Sequence, residues 1–156
     1  MSKIKVVLDT SILISALKSK NPKRSPAWRI LNALLRGEIE NYVSSEVLEE
    51  MSVVLMDVGK EIGKWRTAKL IMALIQKYSN VVKPRRKFSA DKVFVKKLGD
   101  INDAKFFDVA YAKKVEYIIT EDTKHILKMR NKNKEFKFNG RSVKILTSKE
   151  FVREVL

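Results

Sequence analysis

Hydrophobic residues occur along the chain in two kinds of run that alternate with each other. Short, nearly continuous runs such as Ile4–Leu8 are typical of strands buried on both faces of a parallel sheet. Between them, apolar residues lie three or four positions apart, which is the spacing of one helix face. Strands are predicted at Ile4–Leu8, Glu40–Val43, Val81–Val82, Tyr117–Thr120 and Val143–Leu146. Helices are predicted over residues 11–17, 26–36, 45–60, 64–78, 89–98, 102–114 and 123–129, with a last helix after residue 147.

This alternation predicts an α/β fold with three layers, α/β/α, around a central, mainly parallel sheet of four to five strands. At 156 residues the whole chain, 1–156, is expected to form one domain. Such a length is sufficient to bury a core without a disulfide or a structural metal.

Four local motifs mark the ends of predicted elements. Ser25-Pro26 supplies a helix N-cap followed by proline at the first helical position, and Ser89 is expected to cap the helix that ends near Leu98. Asn139-Gly140, between alternating apolar residues, predicts the turn of a β-hairpin. Thr147 and Glu150 have the spacing of a capping box.

Composition excludes several classes of protein. Hydrophobic residues make up 45% and charged residues 33% of the chain, as in folded globular proteins. Cysteine is absent, which excludes a disulfide framework, a thiolate zinc site and a cysteine nucleophile. No apolar run approaches the roughly 20 residues of a membrane-spanning helix, and we see no secretion signal, so we expect a cytoplasmic protein. Abundant Lys, Ile and Val are typical of a thermophilic source.

The net charge of +15 favours a polyanionic partner. Basic surfaces attract phosphate backbones through counterion release, although a generally lysine-rich composition is the simpler alternative. Basic residues concentrate in Lys83–Lys87 and Lys124–Lys144, which either carry a nucleic-acid backbone or form ordinary solvated loops. The candidate nucleic-acid contacts are Arg85, Arg86, Lys87, Lys124, Lys128 and Arg130.

Two aspartates follow predicted strands. Asp9 comes directly after Ile4–Leu8, and Asp122 comes shortly after Tyr117–Thr120. Each taken alone is as readily explained as a helix N-cap. Because open α/β sheets place ligand crevices at the carboxyl ends of their strands, the pair favours a shared site.

Two further acids lie on predicted helices. Asp103 is within about 60° of Phe106, Phe107 and Ala110 on a helical wheel, so a carboxylate is expected in the middle of an apolar stripe. The same wheel places Asp108 on the solvated side. Glu50 lies at the margin of its helix's apolar stripe, where it either reaches a crevice or forms a solvated edge.

Four carboxylates near a core require compensation, and oxygen-only ligands suit Mg²⁺ or Mn²⁺. Asp9, Glu50, Asp103 and Asp122 are therefore the candidate metal ligands and catalytic groups of a phosphodiester-cleaving site. Asp100 is a fifth candidate, either as a helix cap or in a supporting role. The hydroxyls of Thr10, Ser11 and Thr120 are expected to support the site, or to make ordinary turn hydrogen bonds. The candidate site thus consists of five acids and three hydroxyl residues, which come from four predicted elements.

Other chemistries lack their residues. The single histidine, His125, excludes a histidine-based zinc site and a Ser-His-Asp triad. The glycine motifs of phosphate-binding loops are absent from the sequence.

In this order and spacing, the acidic segments resemble the PIN-domain nucleases. The resemblance rests on four segments: Val7-Leu8-Asp9-Thr10-Ser11, then Glu50-Met51-x-x-Val54-Leu55, then Asp100-x-x-Asp103-x-x-Phe106-Phe107-x-x-Ala110, then Tyr117-Ile118-Ile119-Thr120-x-Asp122. The tail from Asp122 through His125 to Phe151 resembles the subgroup that acts as toxins of toxin–antitoxin pairs. The resemblance covers almost the whole chain, from about Ile4 to Val155.

The resemblance implies a parallel sheet between helices, a Mg²⁺ or Mn²⁺ site formed by Asp9, Glu50, Asp103 and Asp122, and cleavage of single-stranded RNA. It also implies a small antitoxin protein as partner and a homodimer, for which the helices over residues 45–78 offer an apolar surface. The chain departs from the family in having Glu121 where glycine is usual, and in a longer, more basic stretch from Lys128 to Lys137. The alternatives are a non-catalytic RNA-binding or RNA-processing module and a structure-specific DNA nuclease.

Overall fold

The computed structural model describes residues 3–138 and 140–156, which form six strands and seven α-helices. The strands are β1 (Ile4–Leu8), β2 (Ile39–Val43), β3 (Ser79–Val81), β4 (Tyr117–Ile119), β5 (Glu135–Phe138) and β6 (Arg141–Leu146). The helices are α1 (Thr10–Lys18), α2 (Pro26–Leu35), α3 (Ser45–Glu61), α4 (Trp65–Tyr78), α5 (Lys92–Leu98), α6 (Ala104–Ala112) and α7 (Ser148–Glu154).

The strands form one mainly parallel sheet in the order β3-β2-β1-β4-β6-β5, which confirms the predicted fold class. Strands β1, β2, β3, β4 and β6 are parallel, and β5 pairs antiparallel with β6. The sheet has six strands instead of the four to five predicted, because the first strand of the hairpin also joins it. Strand β1 has a neighbour on each side, which explains its continuous apolar sequence.

The strand order places a crevice beside β1. From β1 the chain moves outward to β2 and β3, and then returns to lay β4 on the other side of β1. Because the direction of travel reverses there, right-handed crossovers put α5 and α6 on the opposite face of the sheet from α1 to α4. The carboxyl ends of β1 and β4 therefore flank the switch point where α/β folds bind ligands.

A buried hydrophobic cluster joins the sheet to the helices. The bulkiest of its fully buried side chains are Phe106, Phe107 and Phe151. Phe107 makes edge-to-face contacts with Phe94 and Phe136, with ring centroids 5.1 and 5.2 Å apart, and so connects α6 to α5 and to the hairpin.

Several predicted boundaries are confirmed and others are wrong. Ser25 accepts a hydrogen bond from Trp28 N (3.2 Å), and Thr147 and Glu150 form the predicted capping box. Ser89 does not cap α5. It lies within a 3₁₀ turn, and Asp91 caps the helix instead by accepting from Phe94 N (3.1 Å). Asn139 lies outside the described residues, but the hairpin of β5 and β6 is present.

The helix predicted over residues 102–114 begins later. A 3₁₀ turn at Ile101–Asp103 precedes α6, which ends at Ala112. Residues 123–129 form turns and a 3₁₀ helix at Leu127–Met129 rather than an α-helix.

The prediction that Asp108 is solvated is wrong. The residue is only 3% exposed, and its carboxylate accepts a hydrogen bond from Phe88 N. The helical wheel assumed a single buried face, whereas α6 packs against the sheet on one side and against the turn containing Phe88 on another. Burial raises the pKa of the Asp108 carboxyl above its ordinary value.

Among residues 3–138 and 140–156, no helix combines the length and the apolar character needed to cross a bilayer.

Candidate active site

The four acids selected from the sequence line one open cavity of about 400 Å³ at the carboxyl ends of β1 and β4. Asp9 directly follows β1, Glu50 lies in α3, Asp103 immediately precedes α6, and Asp122 follows β4. The cavity is lined by Asp9, Thr10, Ser11, Ile14, Glu50, Val54, Asp100, Asp103, Asp122 and His125. We call it the acidic cavity.

Asp9 is a buried carboxylate held by two hydroxyls. Its Oδ2 accepts hydrogen bonds from Ser11 Oγ (2.7 Å) and Thr120 Oγ1 (2.6 Å). Asp9 occupies the N-cap position of α1, yet its side chain makes no capping hydrogen bond there. Burial raises the pKa of the Asp9 carboxyl, and the charge of Asp122 adds to this effect, against the lowering by the two hydroxyls. The simple capping explanation therefore does not account for Asp9.

Asp122 combines capping with a position in the cavity. Its Oδ1 accepts from the backbone N–H groups of Lys124 and His125, both at 3.2 Å, so it caps the turn that follows β4. Its own N–H donates to Thr120 Oγ1 (2.9 Å). Its Oδ2 also lies 3.4 Å from His125 Nδ1. Both explanations offered by the sequence thus apply to Asp122.

Asp103 is a strongly perturbed carboxyl of the cavity. Burial, followed by the charges of Asp9, Asp122 and Asp100, raises its pKa to about 8. Its Oδ2 lies 3.2 Å from His125 Nδ1. Asp100, Asp103 and His125 each offer a ligand atom, and these atoms lie within 4.8 Å of one another. Asp100 also caps its own turn by accepting from Asn102 N (3.0 Å).

Glu50 reaches the cavity from α3 and is held by two neighbours. Its Oε1 forms an ion pair with Lys105 Nζ (2.7 Å), and its Oε2 accepts from Thr10 Oγ1 (2.9 Å). The side chains of Glu50 and Lys105 are 26% and 16% exposed, so the pair is largely shielded from water. Glu50 is therefore an ordered member of the cavity wall rather than a solvated helix edge.

The sequence match decides the family. Residues 5–124, more than half of the chain, match the model described as PIN domain. The chain belongs to the PIN domain family. PIN domains are nucleases that use divalent metal ions, and the acidic cluster that such chemistry requires is present here.

The chain is also similar to individual proteins. The chain is 34% identical over 154 residues to the uncharacterised protein MJ1680 of Methanocaldococcus jannaschii, covering 97% of this chain and 92% of that protein. Its fold is similar to that of PAE2754 from Pyrobaculum aerophilum, with a TM-score of 0.59 at 16% identity, covering 96% of this chain and 88% of the other. Its fold is also similar to that of VapBC2 from Rickettsia felis, whose structure includes a DNA fragment from the VapBC2 promoter. The TM-score is 0.52 at 17% identity, covering 78% of this chain and 90% of the other.

Two residues in or beside the acidic cavity of this PIN domain are not among the site residues predicted from the sequence. The sequence marks His125 only as the lone histidine and as a residue of the tail that resembles the toxin subgroup, yet its ring stands beside Asp103 and Asp122. Its spacing of three residues from Asp122 was an available signal. Lys105 is brought to Glu50 across 55 positions of sequence, and nothing local indicates that contact.

Glu121 stands where the family pattern usually has glycine, and its carboxylate contacts the start of α7. Its Oε1 accepts a hydrogen bond from Ser148 N (2.7 Å) at the start of α7, where the positive end of the helix dipole favours an acid. Its backbone N–H donates to Ser11 Oγ (2.9 Å), so the residue still supports the loop beside Asp9.

The basic candidates of the PIN domain do not form one surface. Arg85 and Arg86 line a separate cavity beyond β3. Lys87 is paired with Glu46 (3.4 Å), and Arg130 donates to Glu150 Oε1 (2.8 Å) and to Ile145 O (2.9 Å). Arg130 therefore has a clear structural contact.

Lys124 and Lys128 lie in the segment after Asp122. Lys124 follows Asp122 at the rim of the acidic cavity, where its backbone N–H contacts that carboxylate. Lys128 Nζ approaches Gly99, 3.0 Å from where a Cβ would stand. Both lysines are exposed.

Proposed function

We propose that this PIN domain is a Mg²⁺- or Mn²⁺-dependent endoribonuclease that hydrolyses single-stranded RNA in the cytoplasm, as the toxin of a toxin–antitoxin pair. The observation that carries the proposal is the meeting of Asp9, Glu50, Asp103 and Asp122 around one cavity. Four separate elements supply these acids, and family membership gives the cavity its nuclease context.

The residues fit a divalent cation. The donors are carboxylate oxygens, with one imidazole nearby, which is the set that hard cations accept. The pKa of Asp103 is raised to about 8 because burial removes water from it and neighbouring carboxylates repel its charge. Positive charge placed among Asp9, Asp103 and Asp122 would remove that penalty.

Asp9, Glu50, Asp103 and Asp122 would hold Mg²⁺ or Mn²⁺, with Asp100 and His125 close enough to Asp103 to contribute. When bound, the cation supplies positive charge for the scissile phosphate and acidifies the attacking water. All remaining functions fall to the protein's own residues.

Those residues orient the carboxylates. Ser11 and Thr120 fix the Asp9 carboxylate, and Thr10 fixes Glu50. Hydroxyls in this role restrict rotation of the acids and so keep the cavity ready for substrate. Lys105 neutralises one oxygen of Glu50.

Single-stranded RNA is supported as substrate by the +15 charge, which provides a backbone-binding field without reading sequence. The cavity is open and lies at the carboxyl ends of the central β-strands. A flexible single strand of nucleic acid can therefore enter it. A structure-specific DNA nuclease is the alternative, and parallel assays on RNA and DNA separate the two.

An antitoxin partner and a homodimer complete the proposal. The fold resembles that of VapBC2, which was solved with a bound promoter fragment. Several large apolar side chains on α3 and α4 are exposed, among them Val53 and Leu70, each 62% exposed. Exposed apolar groups on two packed helices are typical of an interface between copies.

The test is cleavage of end-labelled single-stranded RNA by the wild type and by Asp9→Asn, each with Mn²⁺, with Mg²⁺ and with EDTA. Asp57→Asn is the matched control, because it makes the same change on an exposed position of α3. The proposal expects metal-dependent cutting by the wild type and by Asp57→Asn, and a loss of at least about a hundredfold in Asp9→Asn. A parallel reaction with single-stranded and branched DNA defines the substrate.

Cutting that survives in Asp9→Asn would place the chemistry elsewhere. Preferential cutting of DNA would replace RNA as the substrate. Salt-sensitive RNA binding without cutting, in both the wild type and the variant, would favour the non-catalytic RNA-binding module.

A further inference from the structure

A second cavity with strongly basic walls lies beyond β3. It has a volume of about 460 Å³, and its polar lining consists of Lys83, Arg85, Arg86, Lys113, Asp108 and Tyr111. We call it the basic pocket. None of its four basic side chains has a salt-bridge partner within residues 3–138 and 140–156, although seven ion pairs of Lys or Arg with an acid form elsewhere in that part of the chain. Four positive charges and one carboxylate, that of Asp108, line this concavity, so the excess positive charge attracts an anion.

The basic pocket contains a guanidinium that is already held in place. Arg86 stacks on Phe88 at 4.8 Å and on Tyr111 at 5.5 Å, measured from the guanidinium carbon to the ring centroids. Stacking restricts the side chain while its N–H groups stay available at the edge of the plane. An arginine ordered in this way loses little entropy when it binds a phosphate with two parallel hydrogen bonds.

Asp108 fixes the loop that carries these residues. Its buried carboxylate accepts from Phe88 N, which ties the end of the loop 83–88 to α6. Phe88 is itself 6% exposed and packs against Phe94, Tyr111 and Phe138. The loop is therefore anchored at the residue two positions after Arg86, and the basic pocket keeps its shape without a ligand.

A series of surface depressions with shared lining residues, which we call the groove, links the basic pocket to the acidic cavity. The basic pocket shares Val81, Val82 and Lys83 with a neighbouring depression that includes Glu46. Glu46, Glu49 and Glu50 line a further depression, so the middle of the groove is acidic, and Glu50 also belongs to the acidic cavity. On α3, Glu46 and Glu50 are four residues apart, about 6 Å along the helix axis. A strand lying in this groove would touch both ends.

We propose that the basic pocket binds a backbone phosphate of the same nucleic-acid strand whose scissile bond lies in the acidic cavity. This inference rests on the proposed function and adds a second point at which the substrate is held. Lys83, Arg85, Arg86 and Lys113 bind the phosphate, and Asp108 is a positioning residue that acts through the loop. The groove to the acidic cavity favours the substrate over an acidic partner protein as the source of the anion.

The test measures binding, so that it does not depend on cleavage. Affinity for a short fluorescent single-stranded RNA is measured in EDTA over a series of NaCl concentrations. The variant K83Q/R86Q/K113Q removes three charges from the basic pocket. The variant K20Q/K23Q/K77Q removes three charges from exposed lysines near the C-terminal ends of α1 and α4, and it serves as the matched control. Thermal melting of each variant checks that it is folded.

For single strands, the slope of log affinity against log salt decreases in magnitude by about 0.7 for each phosphate that the protein no longer neutralises. The pocket variant is expected to reduce the slope by about 2 and the affinity at low salt by at least about tenfold, whereas the control changes much less. Equal reductions in both variants, or no reduction in the pocket variant, would overturn the proposal. Competition by polyglutamate as effective as that by RNA of the same charge would overturn it too, in favour of a general anion surface.

Asp108 is tested separately with two variants. Asp108→Asn keeps an acceptor oxygen for Phe88 N and removes a negative charge, so it is expected to bind RNA at least as tightly as the wild type. Asp108→Ala removes the anchor of the loop and is expected to bind RNA several-fold more weakly than the wild type. Equal binding by the two variants would refute the positioning role.

Failure of this inference can be told apart from failure of the proposed function. If the wild type cuts RNA and both charge variants bind RNA equally well, the proposal for the basic pocket is wrong and the proposed nuclease function is retained. If the wild type cuts nothing and the slope decreases in the pocket variant alone, the pocket stands and the catalytic proposal is wrong.

Discussion

Replacing Asp103 by asparagine is expected to stabilise the metal-free protein. In the folded chain the pKa of this carboxyl is raised from 3.8 to about 8, first by burial and then by the charges of Asp9, Asp122 and Asp100. Well below pH 4 the carboxyl is protonated in both the folded and the unfolded chain, so it does not change the free energy of unfolding. As the pH rises from about 4 to about 8, only the unfolded chain ionises freely, so the free energy of unfolding decreases over that window.

The size of the effect follows from the shift. One pKa unit corresponds to about 1.4 kcal/mol, so a shift of about four units gives an upper limit near 6 kcal/mol. The Asp103 side chain is 17% exposed in an open cavity, and screening by solvent reduces this limit to about 2–3 kcal/mol. Asparagine is nearly isosteric with aspartate and carries no charge, so it avoids the penalty.

The assay is urea unfolding of the wild type and of Asp103→Asn in EDTA at several pH values from 4 to 8.5. The variant should match the wild type near pH 4 and exceed it by about 2 kcal/mol at pH 8 and above. Asp57→Asn, on the exposed side of α3, should show no such divergence. Saturating Mn²⁺ should reverse the order, because ligand at about 100 times its Kd adds about 2.7 kcal/mol to the protein that binds it. A difference that is independent of pH, or a less stable variant in EDTA at pH 8, would refute the reasoning.

Three further predictions concern other parts of the molecule. Lys105→Met removes the cation paired with Glu50, so Mn²⁺ affinity should rise several-fold by titration calorimetry, and an unchanged affinity would contradict competition at that carboxylate. Phe107→Ala should reduce the free energy of unfolding by about 3–5 kcal/mol in urea, since its ring is fully buried, and a loss below about 1 kcal/mol would show that the core there is loosely packed. Val53→Lys with Leu70→Lys should shift light-scattering mass from dimer to monomer, and a wild type that is already monomeric contradicts the proposed homodimer.

The strand-end acids could be predicted because two general rules meet there. Strand β1 has the continuous apolar sequence of a central parallel strand, and the chain after such a strand faces the ligand crevice. Asp9 and Asp122 follow from these rules without knowledge of a single contact. Their partnership with the hydroxyls of Ser11 and Thr120 was expected only as a role, and the structure supplies the geometry.

Contacts between distant segments could not be predicted. Lys105 meets Glu50 because α6 passes α3 at the edge of the sheet, and neither helix carries a local sign of this approach. Asp108 was misplaced for a related reason, since a helical wheel finds one buried face and α6 has more than one. The position of Asp91, rather than Ser89, at the start of α5 depends on the 3₁₀ turn that the burial of Phe88 imposes.

The hydroxyl bridge between the loops after β1 and β4 has a consequence for the newly made chain. Thr120 donates to Asp9 across 111 positions of sequence, and Asp9 N bonds to Ile119 O across the same two strands. Asp9 and Asp122 therefore come together only after β1 and β4, which are far apart in the sequence, have paired. An incomplete or partly unfolded polypeptide keeps its acids apart and has no cutting centre. Under the proposed function, a ribonuclease made inside the cell whose RNA it attacks would become active only when its fold is complete.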